Sequence, residues 1–150
     1  MNKMHYGRLF AMVVLSFISM YVLMYAMVDR FANVYPNFNQ FYMAGLMAAP
    51  MLIIELLLMG SMYPDKKLNT ALIVAGVLAL GLFWMLIRQQ TAINDTQFLK
   101  SMIPHHAGAL LMCEKAPVQD AQIQALCRTI ISGQQAEIDQ MKVMLDRLQK

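Results

Sequence analysis

A chain of 150 residues with 59% hydrophobic and only 14% charged residues is too apolar for an ordinary soluble domain, which would be nearer a quarter charged. The net charge of +3 comes from scattered Lys and Arg, and no basic run reads as a nucleic-acid patch. From about Leu9 to Ile87 charges are nearly absent, while the remainder is ordinary and polar. Two solvents are implied, a lipid bilayer for the first part and water for the second.

The first apolar run, residues 10–28, lies between Arg8 and the pair Asp29-Arg30. Its length, without a small-residue cleavage site and a polar chain behind it, favours a transmembrane helix over a signal segment. "FANVYPNFNQ" follows as a loop whose aromatics suit a membrane interface. Residues 41–62 form the second expected span. It holds Pro50, tolerable in a membrane helix as a kink, and a carboxylate, Glu55. After the turn "YPDKKLN", residues 68–87 form the third span, closed by Trp84 and Arg88. Residues 1–88 are thus a three-span region. Lys3, Arg8, Lys66 and Lys67 flank one side, Arg30 and Arg88 the other. The positive-inside rule then puts the N-terminus in the cytoplasm and the C-terminal part outside it.

The chain has 16 Met, a residue that serves as flexible packing but also as a soft thioether ligand for Cu(I). Met43, Met47, Met51 and Glu55 recur every four residues in the second span and drift only slowly around one helix face. A carboxylate in mid-span is costly in lipid, so these four are candidates for an intramembrane ion path. Plain helix packing is the other reading of the Met stripe.

Residues 89–94 read as a polar linker and 95–150 as a helical hairpin. In its first helix Phe98, Met102, His105, Ala109, Met112 and Ala116 repeat in steps of three and four. In the second, Ile123, Cys127, Ile130, Gln134, Ile138, Met141, Leu145 and Leu148 do nearly the same, as two helices sharing a seam would. "PVQD" breaks the helix between them and Asp120 is a good N-cap for the second. Pro104 predicts a bend or a restart in the first. Two helices bury little area alone, so the hairpin is expected to be half of a four-helix bundle made with a second copy, or to rest on the membrane part.

The chemistry concentrates in "MIPHHAGALLMCEKA". Met102, His105 and His106 lie within one turn, and Met112 follows His105 by seven residues on the same face. Imidazole with thioether suits copper, as Cu(I) or Cu(II), or silver, better than Mg or Ca. If facing residues of the hairpin sum to about 236–240, an antiparallel estimate, His105 and His106 lie opposite Gln134 and Gln135. Met102 is then within reach of Glu137 and Met141. Gln134 and Glu137 are the expected outer partners. The bland alternative is a seam His hydrogen-bonded to a Gln. The same register sets Cys113 opposite Cys127. In an oxidising compartment such a pair is bridged, closing a loop of roughly fifteen residues worth about 3 kcal/mol. In a reducing one it offers thiolate ligands.

No Ser/His/Asp or Cys/His catalytic set and no Gly-rich phosphate loop is present, so neither an enzyme nor an organic cofactor is expected. The stretches Asp95 to Met112 and Ile130 to Met141 resemble the bacterial family termed domain of unknown function 305. Phe98, Met102, Pro104, His105, His106 and Met112, with Gln134, Glu137, Ile138 and Met141, match its motif together. The resemblance implies a ferritin-like, usually exported helical bundle, and copper or silver binding through the motif's Met and His in some relatives. The missing Glu-x-x-His signature argues against ferroxidase activity.

The expectation is therefore all-α: three transmembrane helices and a C-terminal hairpin that is exported. The expected place is the bacterial inner membrane, with the hairpin in the periplasm. The expected metal ligands are Met102, His105, His106, Met112 and Met141, for copper buffering, relay or tolerance. The expected partners are the bilayer, the metal ion and a second copy. The alternative is a structural or assembly module without metal.

Overall fold

The computed structural model describes residues 2–150, with side chains from Met4 onward. All regular structure among the described residues is helical. The five α-helices are α1 (Asn2–Leu23), α2 (Phe38–Leu58), α3 (Lys66–Gln89), α4 (Asp95–Lys115) and α5 (Ala121–Leu148). Short 3-10 turns occupy Met24–Met27, Phe31–Asn33 and Gly60–Met62. Three segments, Met4–Met27, Phe38–Leu58 and Lys66–Gln89, are long and apolar enough to cross a membrane.

The chain divides into two compact units. The first comprises residues 1–24 and 39–91 and contains α1, α2 and α3. Small residues let these helices approach. Gly45 of α2 lies against the Phe83 ring of α3, which would overlap any Cβ placed there. Ala44, Ala48 and Ala49 on the same helix are buried. At one end Leu9, Leu56 and Tyr63 form an apolar knot beside a polar network. The Tyr6 hydroxyl donates to Asn69 Oδ1 at 2.7 Å, and Asn69 Nδ2 donates to the Tyr63 carbonyl at 2.8 Å. Asp65 caps α3 by accepting from the Leu68 N–H. At the other end Gln90, left-handed at φ 51°, terminates α3 and exchanges side-chain hydrogen bonds with Asn39.

The second unit comprises residues 25–38 and 92–150. Asn94 caps α4 through the Gln97 N–H, and Asp120 caps α5 through the N–H groups of Gln122 and Ile123, as its sequence context predicts. The core is Leu99, Ile103, Ala107 and Leu110 of α4 against Ile138, Met141 and Leu145 of α5. Fully burying each large aliphatic side chain contributes about 1.5–3 kcal/mol.

Two expectations change here. The α4 stripe that meets α5 is Leu99, Ile103, Ala107 and Leu110, not Phe98, His105 and Met112, which are exposed. Both stripes are apolar at helical spacing, and periodicity alone does not say which one α5 takes. Pro104 causes no restart either, since α4 runs unbroken from Asp95 to Lys115. Its missing N–H leaves the Lys100 carbonyl without a helical donor, and Asn37 Nδ2 donates to that carbonyl at 3.4 Å.

That contact belongs to a wider one. Residues 25–38, expected to be the end of the first span and the start of the loop after it, lie along α4. The Phe38 N–H donates to Gln97 Oε1 at 3.0 Å, and Val28 and Tyr35 pack on the hairpin core. Gly108 leaves room for the Met27 carbonyl, 3.5 Å from where a Cβ would stand. The loop is held by its own bonds. Asp29 accepts from Asn33 Nδ2 and Arg30 Nε, and the Tyr25 hydroxyl donates to the Tyr35 carbonyl. Burial alone would raise the Asp29 carboxyl, but these hydrogen bonds and the Arg30 charge outweigh it and hold the carboxyl below its ordinary 3.8.

Candidate metal centre

His106, not His105, points to the partner helix. One turn of α4 brings its Nδ1 to the Met102 carbonyl at 3.0 Å, and its Nε2 meets Glu137 Oε2 of α5 at 2.7 Å. A carbonyl only accepts, so Nδ1 carries a hydrogen and donates it. This fixes the ring and aims Nε2 across the hairpin, the orienting arrangement usual for a metal-binding imidazole. Nε2 and the carboxylate are thus held face to face at hydrogen-bond distance.

The register that pairs His106 with Glu137 also sets Met102, four residues before the His, opposite Met141, four residues after the Glu. Met102 packs against the core cluster that holds the buried Met141. Two thioethers, one imidazole and one carboxylate are thereby gathered on one side of the hairpin seam. Glu137, expected in an outer role, is the direct partner of His106, in the place expected for Gln134 and Gln135. Gln134 is half-buried. His105 and Met112 stand apart on the exposed flank of α4. Among the described residues no three His, Cys, Asp or Glu side chains gather as a metal group. The other side chains gathered with His106 and Glu137 are thioethers, which are soft donors.

Cys113 and Cys127 stand at disulfide distance, with Cα atoms 5.2 Å apart, in the register expected. Cys113 lies seven residues beyond His106, on the same side of α4.

In the first unit Glu55 is not in mid-span. It lies in the last turn of α2, where the Tyr63 hydroxyl donates to its Oε1 at 3.1 Å. Burial, and then the bond to Glu55, push the Tyr63 phenol above its ordinary 10.0. Met43 and Met47 are 41% and 44% exposed, on the flank of α2 away from the buried alanines, and Met51 is half-buried. Within one chain these Met side chains therefore do not line an enclosed path.

The family model for the domain of unknown function (DUF305) matches residues 85–149, which hold α4, α5 and all six residues named above around the two His. An uncharacterized protein of Acanthamoeba polyphaga mimivirus is 32% identical over 146 residues, covering 95% of this chain and 94% of the relative. The chain belongs to the DUF305 family. The viral match covers nearly the whole chain, the three apolar helices as well as residues 85–149. No solved structure matches. The buried Asn37 and its gap at Pro104 escaped the sequence reading. The signal was present, because a Pro inside a DUF305 helix leaves one carbonyl that some donor must meet.

Proposed function

We propose that this protein is a membrane-anchored soft-metal binder. It holds copper as Cu(I), and silver next, on its C-terminal hairpin for buffering, relay or tolerance. The observation that carries this reading is the facing of Met102 and His106 by Met141 and Glu137, with the His106 ring already oriented by the Met102 carbonyl. His106 Nε2 and the thioethers of Met102 and Met141 would hold the ion, and the exposed Glu137 carboxylate beside them would supply a counter-charge. A set with two thioethers favours Cu(I) and Ag(I) over hard cations.

The Cys113–Cys127 pair supports an oxidising compartment. The Lys/Arg balance supports a cytoplasmic N-terminus and a hairpin on the opposite face of the membrane, the periplasm in a bacterial cell. The rival reading is a structural or assembly module. It is favoured by the same His106, whose two ring nitrogens are satisfied within the protein as those of a core histidine are.

Titration of the full chain in detergent with Cu(I) and Ag(I) separates the two. Wild type is expected to bind at least tenfold tighter than His106→Ala or the double variant Met102→Leu, Met141→Leu. Equal affinity in all three would leave the module reading standing.

A further inference from the structure

The three apolar helices of the first unit leave a cavity between them. It measures about 410 Å³ and is lined from all three, by Val13 and Phe17 of α1, Ala48 and Ala49 of α2, and Ala79 and Phe83 of α3. Every lining residue belongs to the first unit. Two props hold the helices apart around it. At one end Leu9 of α1 is locked against Leu56 and Tyr63. At the other, the Phe17 ring of α1 stands edge-on to Phe41 of α2 with centroids 4.9 Å apart, and Phe83 of α3 lies over Gly45. Between the props α2 and α3 present alanines, which are too short to close the gap. Val14 of α1 and Ala75 of α3 line the cavity and are exposed, so it opens sideways between these two helices.

The contents follow from lining and depth. Every lining side chain is apolar, so water finds too few partners to stay. Ligand pockets of this size ordinarily fix a polar ligand through a few placed polar groups. Here there are none, and neither a lipid headgroup nor a quinone ring gains a hydrogen bond from a side chain. An empty space would forfeit the packing contacts of its walls. Hydrocarbon is what remains. Ala48 is the middle residue of Phe38–Leu58, and Val13 and Ala79 are likewise near the middle of their helices. In a bilayer crossed by these helices the opening faces the acyl chains and not the headgroups.

We propose that one acyl chain of a membrane phospholipid enters between α1 and α3 and occupies this cavity. The chain completes the packing of alanines that no side chain reaches, while its headgroup stays among the surrounding lipids. This rests on the membrane-spanning part of the function proposed above and is independent of the metal.

The test reconstitutes the full chain in vesicles of phosphatidylcholine that carries a photoreactive diazirine at the middle of one acyl chain. After irradiation the adducts are mapped by peptide sequencing. Ala48 and Ala49 are 4% and 8% exposed, so a chain outside the cavity does not reach them. Leu78 of α3, 68% exposed, reports lipid at the outer surface. Adducts are expected at Ala48 or Ala49 as well as at Leu78. Ala49→Leu with Ala79→Leu, which fills the cavity with side chains, is expected to lose the α2 adducts while Leu78 stays labelled. Wild-type adducts at Leu78 with none at Ala48 or Ala49 overturn the proposal, and so does α2 labelling that the filled variant retains. If unlabelled isoprenoid quinone abolishes the α2 adducts and unlabelled phospholipid in the same excess does not, the acyl chain is the wrong occupant. The wild-type map decides even if the filled variant fails to fold, which loss of its Leu78 adduct would reveal. Wild-type labelling nowhere, Leu78 included, removes the membrane reading itself and this proposal with it.

Discussion

Asn37 and Pro104 show how one residue's deficiency fixes another's place. Pro104 withholds the N–H that Lys100 needs, and Asn37 supplies it from a segment 63 residues away in sequence. Removing that donor strands a carbonyl in the loop's contact with α4, at a cost of about 1–3 kcal/mol. Asn37→Ala should therefore destabilise the second unit by that order in thermal unfolding of the full chain. In a Pro104→Ala background, where the restored backbone N–H can bond Lys100 within the helix, the same substitution should cost clearly less. Equal costs in the two backgrounds would show that the bond to Lys100 carries nothing. Asp29 acts on the same segment. Its carboxyl is held below 3.8, so the stability it lends is present above that value and lost as pH falls through the lower folded value. Proteolysis within residues 29–38 should accelerate as pH drops below about 4 in wild type, and Asp29→Asn should flatten that dependence.

At the scale of elements, the hairpin has a packed half and a stapled half. Its core runs from Leu99 to Leu110 on α4 and from Ile138 to Leu145 on α5. Toward the turn, Met112, Ile123 and Leu126 are exposed, and the Cys113–Cys127 pair joins the helices. Reduction, or Cys113→Ser with Cys127→Ser, should therefore cost about 3 kcal/mol by the loop-entropy estimate. Amide exchange should rise near residues 111–130 well before it rises at Ile103 or Ile138. Uniform loss of protection would mean that the staple supports the whole hairpin. Much of this element was legible in the sequence. Asp120, the PVQD break, the Cys register and the α5 stripe of Ile138, Met141 and Leu145 all depend on local chemistry. Which of the two His faces α5 was not, because α4 carries two apolar stripes about a third of a turn apart. Choosing between them needs the loop, and the loop's role depends on a missing N–H that no periodicity reports.

For the whole molecule, connectivity constrains topology. If the three apolar helices each cross the membrane they alternate in direction, and the segment between the first two and the segment after the third would emerge on the same side. That is a condition for residues 25–38 and the hairpin to form one compact unit, and they do. The turn around Asp65, Lys66 and Lys67 would then lie on the opposite side, with Arg8, as the proposed positive-inside orientation requires. Single cysteines introduced into a Cys113→Ser, Cys127→Ser background test this arrangement, because no native thiol then competes for the label. Ser132→Cys on α5 and Ser61→Cys in the turn between α2 and α3 are both exposed positions. In intact bacterial cells whose outer membrane is made permeable, a membrane-impermeant maleimide should label position 132 and spare position 61. Opening the inner membrane should expose both. Labelling of 61 but not 132 would invert the orientation while keeping the spans. Labelling of both in intact cells would mean that α3, the apolar helix between the two positions, does not cross, and the shared side of loop and hairpin would need another cause.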